Sequence, residues 1–190
     1  MTMARQILFI QGGGAGTHDE WDNKLVESLL RVLGEGYEVR YPRMPNEDDP
    51  SQAAWSTAIR RELAALEDGA VVVGHSVGAT LLIHALAEQA PGCALATIVL
   101  IAAPFVGEGG WPSDEFELPE NLGTRLPRRV RVHVFHGLRD ETVPPSHADL
   151  YAEVIPQALV HRLPGRDHQL NNDLSDVAKV IGTSARSGHR

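Results

Sequence analysis

The stretch VVVGHSVGATLLIHAL, Val71 to Leu86, decides the architecture. A short, continuously apolar run leads into GHSVG, Gly74 to Gly78, and apolar residues at three- and four-residue spacing follow at once. The first run reads as a buried strand and the second as a helix. The pentapeptide alone is weak; the strand before it and the helix after it give it meaning. In so sharp a turn, side chains two before and two after the serine would collide, so Gly74 and Gly78 supply the space. The turn lifts Ser76 into the open as a candidate nucleophile. It also sets the Val77 backbone N–H at the start of a helix, where an unpaired donor and the positive end of the helix dipole stabilise a developing oxyanion. The plain alternative is an ordinary strand-to-helix turn with a helix-capping serine.

Outward from this segment the chain alternates short apolar runs with longer amphipathic ones, the pattern of βα units around a parallel sheet buried on both faces. Six strands are expected, at Gln6–Gln11, Tyr37–Tyr41, Ala70–Gly74, Thr97–Ala102, Val130–His136 and Ala158–Leu163. Helices are expected at Asp19–Leu33, Ser51–Leu66, Val77–Gln89, Pro145–Ile155 and Asp173–Gly182. Gly34 and Gly36, Pro50 and Ser51, and Pro91 and Gly92 mark helix ends. The fold class is α/β, a three-layer α/β/α sandwich with a mostly parallel six-stranded sheet. Residues 1–190 make one domain, with a lid-like insertion at 104–127 and a frayed tail at 184–190.

Two further segments carry chemistry. In VHVFHGLRDETVPP, Val132 to Pro145, an apolar strand runs into a loop bearing Asp140, and an acid past the carboxyl end of a parallel strand faces the same side as Ser76. Asp140 or Glu141 as a mere helix cap is the alternative. In VHRLPGRDHQLNND, Val160 to Asp173, His168 follows a strand and a Pro-Gly turn. Serine is a poor nucleophile until a base takes its proton, and the base needs an anion on its other nitrogen to fix the tautomer. Ser76, Asp140 and His168 stand in the chain order Ser, Asp, His. Asp167 is a minor alternative for the acid.

The glycine run QGGGAG, Gln11 to Gly16, lacks dinucleotide spacing. It lets the main chain pass close to a substrate carbonyl, with Gly13 N–H as second oxyanion donor and Gly14 as the near alternative. Gly12, Gly14, His75 and Trp111 are the candidate substrate-binding residues. His75 is singled out only by its adjacency to Ser76. His133 and His161 are expected to be satisfied packing residues within strands, His84 to lie on a helix, and His18, His147 and His189 to lie at the surface. Trp21 is expected to pack the first helix on the sheet, or else to line an acyl pocket.

Composition narrows the classes. The 190 residues are 43% hydrophobic and 22% charged, as in ordinary globular domains, and the net charge of −8 disfavours nucleic acid or an anionic membrane as partner. The single cysteine, Cys93, excludes an intrachain disulfide and makes the cytoplasm the expected location. The N-terminal apolar run is too short for a signal-peptide core or a bilayer span.

With QGGGAG, GHSVG, HGLRDETVP and GRDH in place, the chain resembles the α/β-hydrolase superfamily over nearly its whole length, and within it the small capless members of the retinoblastoma-binding-protein-9 and YdeN group. Gln11 departs from the histidine that many relatives place before the glycines. The resemblance implies hydrolysis of a small ester, thioester or amide through an acyl-enzyme, most simply as a carboxylesterase, without metal or organic cofactor. The partner expected is a small-molecule acyl substrate. Serine at position 76, rather than aspartate or cysteine, argues for acyl transfer chemistry. Two rivals stand beside this reading: a catalytically silent scaffold for protein interaction, and an acyltransferase using the same three residues.

Overall fold

The computed structural model describes residues 4–186. Its six strands are β1 (Arg5–Ile10), β2 (Tyr37–Arg40), β3 (Val71–His75), β4 (Thr97–Ile101), β5 (Arg131–Gly137) and β6 (Ala158–Leu163). They form one sheet in the order β2-β1-β3-β4-β5-β6, every neighbouring pair parallel. The helices are α1 (Asp22–Leu33), α2 (Gln52–Ala64), α3 (Val77–Glu88), α4 (Leu122–Arg125), α5 (His147–Val154) and α6 (Ser175–Arg186).

Alternation along the strands builds two cores. Ile7, Phe9, Val71, Val73, Val99 and Ile101 face one way and meet Leu25 and Leu29 of α1 and Val177 and Ile181 of α6. Leu8, Ile10, Val72, Ile98, Leu100 and Val132 face the other way and meet Trp55 and Ile59 of α2, Leu82 of α3 and Tyr151 of α5. Strand order reverses at β1, which lies between β2 and β3, so the chain leaves β1 and β3 toward opposite faces. The crevice opened there, beyond the carboxyl ends of the strands, is where open α/β sheets bind ligands. Among the described residues no helix is long and apolar enough to cross a membrane.

The structure adjusts several expectations. The first helix starts at Asp22, after a π-helical turn at Thr17–Trp21. That turn has more residues than an α-turn and so rotates Trp21 off the face shared by Leu25 and Leu29. Trp21 is therefore not part of the core: it is 51% exposed, with Lys24 Nζ 5.1 Å over its ring. Ser51 caps α2 by accepting the Ala54 N–H at 3.3 Å rather than joining the helix. The last helix runs past Gly182 to Arg186, into the 184–190 segment expected to fray; the rest of that segment, with His189, lies outside the described residues. The 104–127 segment contains α4 and buries Phe105, Leu118, Leu122 and Leu126 in the α2/α3/α5 core. Glu115 also ties it to α2, accepting the Gln52 N–H at 2.8 Å.

His147 is buried rather than at the surface, because its Nδ1 accepts the Phe105 N–H at 2.8 Å and so anchors the start of that segment to α5. His18 is stacked on Tyr41 and half buried. His133 Nδ1 pairs with His161 Nε2 at 2.9 Å, but its Nε2 is buried without a hydrogen-bond partner, so it is not fully satisfied.

Candidate active site

Four loops at the carboxyl ends of β1, β3, β5 and β6 converge on Ser76. The serine sits at φ 53°, ψ −133°, a region L-residues avoid, and the turn survives because its flanking glycines admit backbone at contact distance. A Cβ on Gly74 would meet Ala79 Cα at 2.5 Å, and one on Gly78 would meet the Gln11 carbonyl oxygen at 1.8 Å. The second approach seats the first turn of α3 directly against the end of β1, bringing Val77 beside the glycine loop.

Ser76 Oγ lies 3.0 Å from His168 Nε2, and His168 Nδ1 lies 2.8 Å from Asp140 Oδ2. With Nδ1–H donated to the carboxylate, Nε2 is left to accept the serine proton. Asp140 is held from the other side as well: its Oδ1 accepts the N–H groups of Thr142 and Val143, each at 2.8 Å, and His136 Nε2 approaches Oδ2 at 3.1 Å. Burial pushes this carboxyl up, but the bonds from His136, His168 and the Val143 amide outweigh it and hold the group well below the usual carboxylate range. Asp140 thus caps its turn and orients His168 at once. Glu141 is exposed, and Asp167 accepts the amides of Gln169 and Asn171 within its own loop.

The loop that carries His168 is pinned by Leu170, fully buried in the α1/α6 core, and by Arg166 Nη2 donating to Asp173 at 2.7 Å. Leu170, Asn171 and Asn172 all take positive φ, a left-handed turn that brings the chain back to α6.

In the glycine loop three amides are accounted for differently. Gly12 N–H donates to Asp22 Oδ2 at 2.7 Å and Gly14 N–H to the Glu47 carbonyl at 2.6 Å, which removes Gly14 as an oxyanion donor. No described residue accepts from the amides of Gly13 or Val77. Glu47 organises this loop: its carboxylate accepts from Gln11 Nε2 at 2.6 Å, His18 N–H at 3.0 Å and Gly16 N–H at 3.1 Å. Gln11 bridges to the neighbouring loop, its Oε1 accepting the Met44 N–H at 2.9 Å. Of the other candidate substrate-binding residues, Gly12 lies against Ser76, its Cβ position 3.2 Å from Ser76 Cβ. Trp111 is 39% exposed and packs edge-on against His147. His75 is buried, so it does not border open space.

Asp22, Gln169, His136 and Glu47 were not apparent as site residues from sequence. Each acts through long-range bonds that local pattern does not encode. An open cleft of about 510 Å³ lies beside His168, lined by Arg139, Glu141, Thr142, Asp167 and Gln169. A larger cavity of about 610 Å³, lined by Arg5, Asp68 and Arg131 among others, lies at the opposite ends of the strands, away from Ser76.

A doubly wound parallel sheet with a serine on a strained turn after its third strand defines the α/β-hydrolase class. The chain belongs to the alpha/beta hydrolase family, whose model matches residues 7–183. Solved structures of the same fold include a meta-cleavage product hydrolase from Pseudomonas fluorescens, 15% identical over 100% of this chain and 93% of that one, with a TM-score of 0.75. The esterase domain of a Rhodothermus marinus protein is 22% identical over 98% of this chain and 88% of that one, TM-score 0.66. An esterase from a Rhodococcus species is 16% identical over 95% of this chain and 91% of that one, TM-score 0.69. No curated protein matches the sequence.

Proposed function

We propose that the protein is a serine hydrolase that cleaves a small carboxylic ester through an acyl-enzyme. The observation that carries this is the unbroken line Ser76 Oγ, His168, Asp140, with contacts of 3.0 and 2.8 Å; beside it, Gly13 packs against Val77, and the amides of both have no acceptor among the described residues. Ser76 attacks the substrate carbonyl carbon as His168 Nε2 takes its proton. The N–H groups of Gly13 and Val77 receive the oxyanion. His168 then hands the proton to the leaving alcohol, and a water activated by the same nitrogen releases the acid. An ester is the bond we take the protein to cleave, in keeping with the esterases that share the fold.

The test is reaction with a fluorophosphonate, read by intact mass and by peptide mapping, together with p-nitrophenyl acetate turnover. A single phosphonyl addition on Ser76 and matching loss of turnover are expected. A folded protein that takes no label and turns over no ester overturns the proposal.

Asp140→Asn separates orientation from shape. The amides of Thr142 and Val143 keep the Asn oxygen on the Oδ1 side, so its NH₂ must face His168 and impose the wrong tautomer. The expected outcome is an intact fold with kcat lower by about 10,000-fold, the scale seen for such a change in another serine hydrolase, measured in steady-state ester hydrolysis.

A further inference from the structure

A second carboxylate and imidazole lie beside the first, with the His75 ring 5.0 Å from that of His168, and proton transfer as described makes no use of them. Asp22 opens α1 and His75 ends β3, and both are buried. We infer that Asp22 and a doubly protonated His75 form a fixed ion pair that positions His168, Ser76 and the glycine loop together. The inference rests on the serine hydrolase reading, and both are positioning residues, since neither touches the reacting atoms.

The protonation follows from the partners. His75 Nδ1 lies 2.9 Å from Asp22 Oδ2, and Nε2 lies 3.0 Å from the backbone carbonyl oxygen of His168. Both oxygens only accept, so both ring nitrogens donate, and a ring with two N–H groups is an imidazolium. Burial opposes that charge, but the Asp22 carboxylate in contact with it prevails and holds the ring above its ordinary value. Asp140 adds a weaker attraction from the loop after β5, and His168, on the loop after β6, presents its carbonyl. Asp22 is held below its ordinary value: burial raises it, and His75, the Gly12 amide and Gln169 more than offset this.

The wiring shows what the pair does. Asp22 Oδ2 accepts from Gly12 N–H at 2.7 Å as well as from His75, and Oδ1 accepts from Gln169 Nε2 at 3.1 Å. Gly12 precedes Gly13, His75 precedes Ser76, and Gln169 follows His168. One carboxylate therefore grips three loops, each at a residue adjacent to a group of the proposed reaction. His75 closes the circuit by holding the main chain of His168 itself. Releasing it would let the base drift relative to Ser76, which predicts a loss in kcat rather than in KM. In enzymes generally, a misplacement of about 1 Å at the reacting groups can cost on the order of 100-fold.

The experiment uses full-length protein with isotope-labelled histidine. At pH 8 the His75 ring, assigned through the backbone in wild type, is expected to show two ring N–H protons and imidazolium nitrogen shifts, and Asp22→Asn to return it to a neutral ring. In parallel, kcat per fluorophosphonate-titrated site should fall about 10- to 100-fold in Asp22→Asn and His75→Gln, with KM within about threefold. Gln169→Ala, which cuts one arm and leaves the charges, should show a smaller loss of the same kind and serves if the buried variants do not fold. Titration counts only competent sites, so partial unfolding does not imitate the effect. A labelled wild type with a neutral His75 at pH 8, or variants whose per-site kcat matches wild type, overturns the inference. A wild type that carries the imidazolium but takes no label overturns the hydrolase reading instead, and the positioning role with it.

Discussion

Ser76→Ala is expected to fold normally and to lose about a millionfold in kcat, the scale observed when the nucleophile is removed from another serine hydrolase. The size reflects a unit that works as a whole: without Oγ, His168 has no proton to take and Asp140 no imidazolium to stabilise. What remains would come from the Gly13 and Val77 amides acting on water-driven hydrolysis, and pre-steady-state assays should show no burst of p-nitrophenol. Stability should respond in its own way. Alanine inherits the φ of 53°, so it relieves nothing, whereas Ser76→Gly removes strain of about 1 to 3 kcal/mol and returns part of it as freedom of the unfolded chain. The glycine variant should thus be equally inactive yet more stable by about 1 kcal/mol in urea titrations. Equal or lower stability would mean that the elbow is not strained.

The other large effect concerns a single methyl group. A Cβ on Gly78 would sit 1.8 Å from the Gln11 oxygen, 2.8 Å from its carbonyl carbon and 3.0 Å from the Ile10 oxygen, all backbone atoms at the end of a central strand. No rotamer change answers a clash with main chain, so α3 must lift away from β1 or β1 must break its pairing. Gly78→Ala is therefore expected to cost more than about 4 kcal/mol and to give little folded protein, which denaturant unfolding and expression in soluble form would both report. Gly182 is the internal control: it lies in α6, and a Cβ there meets none of the described residues within 4 Å. Gly182→Ala should be neutral or stabilising by up to about 1 kcal/mol.

These contrasts bear on what a sequence can disclose. The sheet was legible because its central strands are short apolar runs between turn residues, and β6 falls at the expected limits, Ala158 to Leu163. The residues around Ser76 were legible because local rules demand them: glycine where backbone crowds, a strand before, a helix after. Asp140 and His168 were legible through their places past strand ends. Trp21 misled because a π turn, invisible to a 3.6-residue period, shifted its face. His75 looked incidental because its partner Asp22 is 53 residues away, and the Gln169 bond to that same aspartate spans 147. Such ties are decided by how loops from different strands meet, and periodicity carries no information about that. The burial of His147 was hidden for the same reason, since the amide it accepts belongs to Phe105 in an irregular segment.

The distribution of the site along the chain sets a schedule for its appearance during synthesis. The glycine loop and Ser76 lie in the first half of the polypeptide, but the base comes after β6, an edge strand whose only neighbour is β5. On the proposed mechanism, a nascent chain that has formed β1 to β4 carries Ser76 but not His168 and is expected not to react with a fluorophosphonate. Capture of a fluorophosphonate is then expected only once β6 has docked, so labelling of ribosome-bound or truncated chains would report completion of that edge of the sheet.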